Sequence, residues 1–96
     1  MELKKVTFNE ELGHLVDQEG AKYDGRRSGT ITAHSTISYP SYQSAERDAI
    51  FILEGLVAKK GADAYEVIAT QSEDSRQEYD STPFRARVTA ILYKPQ

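Results

Sequence analysis

Residues 45–57 fix one element of any fold this chain adopts. Ala45, Ala49, Leu53, Leu56 and Val57 recur at three- and four-residue spacing, with Ile50 and Ile52 at the edges of the stripe and Arg47, Glu54 and Lys59 away from it. That is one apolar face of an α-helix, and it must be buried against something. Ser41 or Ser44 can cap its start. With Ser44 as cap the third helical position is Arg47, and with Ser41 it is Ser44, so neither choice makes a capping box. At the other end, KKGADAY places Lys59 and Lys60 at the negative pole of the helix and Gly61 where a left-handed residue stops it, and Ala64-Tyr65 begins a strand. Phe51 does not fit: a helical wheel puts it on the far side from Ala49 and Leu53. Either another segment covers it, such as an N-terminal helix, or it is an exposed aromatic available to a partner.

Thr7 with Glu10 three residues on has the form of a capping box, Asn9 is an alternative cap, and Phe8, Leu12, Leu15 and Val16 fall at helical spacing. A short helix over about residues 9–19, ended by Gly20, is the expectation. The glycines of residues 20–29 predict turns. From Thr30 the period changes to two, with Ile31, Ala33, Ser35 and Ile37 on one face of a strand and Thr30, Thr32, His34 and Thr36 on the other. Beyond the long helix, Tyr65, Val67 and Ala69 alternate with Glu66, Ile68 and Thr70 in a second strand. Residues 71–83 are polar and read as a loop or hairpin tip, and Phe84, Ala86, Val88, Ala90 and Leu92 alternate in a third strand. Helix, strand, helix, strand, strand is an α+β order. It predicts a small three- to four-stranded mixed or antiparallel sheet with one long helix and a short N-terminal helix packed on one face. Ninety-six residues make this a single domain, residues 1–96.

Composition narrows function chiefly by exclusion. A net charge of −3 leaves no general attraction for phosphate backbones, so nucleic acid is not an expected partner. The absence of cysteine removes disulfides, thiolate chemistry and cysteine-ligated zinc. The longest apolar run, Ala49 to Leu53, is far short of the ~20 residues of a membrane helix, so no membrane span is expected. His14 and His34 lack the spacing of a metal pair, and the serines and threonines of residues 35–44 suit turns and caps better than a nucleophile elbow. The acids Glu73, Asp74, Glu78 and Asp80 lack the glycine turn of a calcium loop. No catalytic, cofactor-binding or metal-binding residue is therefore assigned.

Contact residues are another matter. Arg85 and Arg87 share a strand face where, joined by Lys94 or by Arg26 and Arg27, they would grip a small anion; the alternative is a solvated face paired with acids. Tyr39 and Tyr42 flank Pro40 in a loop suited to protein or glycan contacts. An open sheet edge would also allow self-assembly.

The pieces Gly29-Thr30-Ile31, Tyr39-Pro40-Ser41, the helix through Ala49, Leu53 and Val57 into Gly61-Ala62-Asp63-Ala64-Tyr65, and Ala86, Ala90 and Ile91-Leu92-Tyr93-Lys94 stand in a set order. In that order the chain, over residues 29–94, resembles the YdgH/BhsA/McbA-like domain of small bacterial envelope proteins. Two features depart from that family's pattern: no signal peptide precedes residue 1 in this sequence, and residues 72–83 make a longer loop than its usual hairpin. The resemblance implies a non-enzymatic domain of stress response or biofilm formation, without cofactor, periplasmic if an export signal has been removed and otherwise cytoplasmic. Its partner would be an unknown protein or envelope component, met by a monomer or weak homodimer.

Overall fold

The computed structural model describes residues 3–74 and 84–96. The elements are β1 (Lys4–Asn9), β2 (His14–Asp17), β3 (Lys22–Tyr23), β4 (Gly25–His34), α1 (Tyr42–Lys59), β5 (Ala64–Asp74) and β6 (Phe84–Pro95). These six strands form one sheet in the order β3-β2-β1-β5-β6-β4, curled into a half-barrel, with α1 as the one helix among the described residues. β3 and β4 stand at opposite ends of that order yet are separated in sequence by Asp24 alone, so the sheet has to curl to let the chain pass from one edge to the other.

The long helix forms where its stripe requires. Ser41 is the N-cap, its hydroxyl accepting from the Ser44 N–H. At the end, Gly61 adopts φ 76°, its N–H donates to the Ala58 carbonyl and the Ala62 N–H to the Val57 carbonyl, a Schellman stop. Ala45, Ala49, Leu53 and Val57 are fully buried against Ala33 of β4, Tyr65 of β5, and Ala86, Val88, Ala90 and Leu92 of β6. Alanines on both sides let the helix lie close to the sheet, while burial of Leu53 alone is worth roughly 2 kcal/mol. β4 and β5 each pair antiparallel with β6, so they run parallel to one another and α1 crosses over β6 between them.

The expected helix over residues 9–19 and the three- to four-stranded, two-helix architecture are not what forms. Thr7 lies inside β1, and the Asn9 side chain accepts from the Leu12 N–H while the Asn9 carbonyl accepts from Gly13, whose φ of 75° turns the chain into β2. The helical spacing of Phe8 and Leu12 had nothing to be buried against, and both stay about half or more exposed, at 50% and 59%. What is buried instead follows strand geometry. Val6, Tyr23, Ala64 and Tyr93 form a second core, with Leu15 and Ile91 against it, on the face of the sheet away from α1. The expected turn over residues 20–29 is in part strand as well, since β3 and the first residues of β4 run through it.

This second core carries hydrogen bonds to carboxylates. The Tyr23 hydroxyl donates to Asp63, the Tyr93 hydroxyl donates to Glu66 at 3.1 Å, and the other Glu66 oxygen accepts from the Phe8 N–H at 2.9 Å. The Tyr23 ring meets Tyr93 edge-on at 6.1 Å. It also folds back over Gly25, where a Cβ would overlap the ring.

Strand β6 alternates as its sequence predicts. In β5 a register shift between Val67 and Ala69 pushes Ile68 outward and turns Ala69 to the open face, opposite Thr89, so the even alternation expected there fails. The polar run begins as strand, to Asp74; the rest of the expected loop, with Glu78 and Asp80, lies outside the described residues.

Candidate functional site

The outer face of α1 displays a large aromatic with nothing over it. Phe51 lies opposite the stripe of Ala49 and Leu53 and is 73% exposed, the most exposed of the large apolar residues described. The strands that replace the expected N-terminal helix join the sheet and turn their apolar residues into the second core, so they leave Phe51 uncovered. Two shallow grooves meet at Phe51 and Arg47. One, of about 410 Å³, is lined by Tyr39, Ser44, Arg47, Asp48 and Phe51; the other, of about 650 Å³, runs along the helix past Gln43, Glu46, Ile50 and Glu54.

The loop that walls the first groove is held from end to end. Ser35 donates its N–H to the Ala86 carbonyl, and its side chain accepts from the Ala86 N–H. Thr36 gives both its N–H and its hydroxyl to one Asp48 oxygen, each at 2.8 Å. Arg85 donates to the Ser38 hydroxyl at 3.1 Å, and Tyr39 exchanges two backbone hydrogen bonds with Phe84. The Tyr39 hydroxyl reaches Asp48 as well. These contacts lower the Asp48 pKa, first through the Thr36 N–H and then through its hydroxyl, and raise that of Tyr39, through partial burial and then the Asp48 hydrogen bond. Groups held in this way do not have to be ordered when a ligand arrives.

The five expected contact residues separate into three places. Tyr39 and Phe51 share the groove. Tyr42 is half-buried against the main core. Arg85 and Arg87 are on the open face of β6, where Arg85 holds Ser38 and Arg87 donates to the Gln71 side chain. Lys94 is nine positions beyond Arg85 on the same strand, roughly 30 Å away at the usual rise, and Arg26 pairs with Lys94 rather than with the arginines, so these cations do not converge. His14 bonds the Leu15 carbonyl and His34 ends β4; among the described residues no group of three or more His, Asp or Glu side chains converges as a metal site would require. No described helix is long and apolar enough to cross a membrane.

Sequence reasoning singled out Tyr39 and Phe51 but missed Arg47 and Asp48. Their sequence signal was available: Ser44, Arg47, Asp48 and Phe51 recur at three and four residues on the polar side of the helix, a second face that reads as plain solvent exposure unless Phe51 is taken as its centre. Comparison with protein-family models, with curated proteins and with solved structures returned no match.

Proposed function

We propose that the chain is a non-catalytic binding domain that engages a protein partner through the outer face of α1, with Phe51 as anchor and Tyr39 and Arg47 beside it. The exposure of Phe51 at the junction of two grooves carries this reading. Aromatic and arginine side chains supply most of the energy of protein interfaces, and they do so best on a surface already fixed in shape. The hydrogen-bonded loop of residues 35–39 supplies that rigidity.

A photo-reactive phenylalanine analogue placed at position 51 tests the proposal in cells of the source organism. The expected result is a cross-link to one protein species that is absent when the analogue stands at the exposed control position 11. Cross-linking at 51 no greater than at the control defeats it. The bacterial envelope setting, with a role in stress response or biofilm formation and a periplasmic location, belongs to the same proposal and is supported by the order of motifs in residues 29–94. Fractionation of cells making the complete reading frame tests that part: recovery with the periplasm is expected, and recovery with the cytoplasm removes the envelope setting while leaving the contact surface standing.

A further inference from the structure

The geometry points to the outer edge of β4 as a strand-addition site for an extended acidic polypeptide segment, a surface separate from that around Phe51. β4 is ten residues long and ends the sheet, paired with β6 on one side and with no other strand among the described residues. Every second residue of such a strand turns its N–H and C=O away from the sheet, a template for an added strand. Gly29 to His34 pair residue for residue with Leu92 to Arg87, without a bulge, and this stretch has neither proline nor acid to blunt it.

Charge selects the occupant. The whole of β4 carries Arg26 and Arg27 and no carboxylate. Arg26 stands opposite Lys94 in the ladder, two like charges on neighbouring strands, an arrangement that costs free energy unless an anion offsets it. A hollow of about 320 Å³ on β4 is lined by Ser28, Thr30 and Ile31 of that strand together with Lys60, Leu92 and Lys94. Lys60 comes from the end of α1 and Lys94 from the end of β6, so two elements bring ammonium groups to the margin of the same strand. An added strand with carboxylates at alternate positions would set them toward those lysines while its backbone completes the sheet. A second copy fits less well, because β4 laid beside β4 sets cations on both strands and an acid on neither.

The test uses a labelled peptide of about eight residues, the length of a common strand, alternating Glu and Val, and its counterpart alternating Lys and Val. Fluorescence anisotropy at low salt is expected to show saturable binding of the Glu peptide, at least about tenfold tighter than the Lys peptide and weakened by salt. Amide exchange should slow at alternate residues of Gly29–His34. Lys60→Glu with Lys94→Glu should weaken binding about tenfold or more, and Lys94→Glu alone in the same direction if the double variant does not fold. Phe51→Asp should leave it unchanged, which separates this site from the one on α1. No saturable binding at millimolar peptide, equal binding of the two peptides, or exchange protection elsewhere overturns the proposal. So does a wild-type dimer in sedimentation that already protects Gly29–His34 without peptide.

Discussion

Four of the five tyrosines among the described residues are tied to carboxylates distant in the sequence: Tyr23 with Asp63, Tyr39 with Asp48, Tyr65 with Glu54 and Tyr93 with Glu66. Tyr65 shows the consequence most clearly. Burial, then the Glu54 charge and its hydrogen bond, push its phenol up to about 12. Because that lies above the unfolded value near 10, the stability this pair contributes is fully present below about pH 10 and is lost as pH rises through the folded value. Urea unfolding across that range should show the loss in the wild type and a smaller one in Tyr65→Phe. Asp48 behaves in the opposite sense: its lowered pKa contributes stability above about pH 4 that is lost as pH falls through the depressed value, and Asp48→Asn should flatten that acid limb. Gly25 is a residue whose role is close approach. Gly25→Ala should cost about 1–3 kcal/mol in urea unfolding by displacing the Tyr23 ring, whereas Gly29→Ala, with open space around it, should stay within about 0.5 kcal/mol. The abundance of tyrosine was evident in the sequence, but the pairs were not, since Tyr65, Tyr93 and Tyr23 find partners 11, 27 and 40 positions away.

At the scale of elements, α1 and β6 were legible because each has a periodic apolar face that ends up buried. Leu53→Ala should cost about 2–5 kcal/mol and Ser41→Ala about 1 kcal/mol, both measured by chemical denaturation. The N-terminal third was misread for a physical reason. Thr7, Glu10 and the spacing of Phe8, Leu12 and Leu15 satisfy the local rules of a helix, but a helix there has no apolar surface to cover. Pairing of Val6 through Asn9 with His14 through Asp17 closes a hairpin that also reaches β5 and Tyr93. Asn9 and Gly13, four apart, were the contrary local signal, a side-chain acceptor and a left-handed residue at one turn. The shift at Ile68 has no comparable signature in the alternation that surrounds it.

For the molecule as a whole, the curl assigns different work to the two faces of the sheet. One takes α1 and the main core; the other takes the tyrosine cluster that draws β1, β2 and β3 around. With the N-terminal strands built into the sheet and their apolar residues turned to that second face, the outside of the helix stays bare, and Phe51 is left there without a structural duty. Phe51→Asp should therefore leave the melting temperature within a degree or two, as expected for a change of about 0.5 kcal/mol or less at an exposed position. Of the candidate surface, Tyr39 and Phe51 could be found from the sequence, but their union around Asp48 could not, because the loop of residues 35–39 is positioned by β6. The most direct measurement is titration calorimetry of the purified chain with the protein cross-linked at position 51, comparing wild type with Phe51→Asp. Loss of an interface anchor predicts binding weakened by about 2 kcal/mol or more, roughly thirtyfold, with the fold intact. Equal affinity of the two proteins would contradict the account.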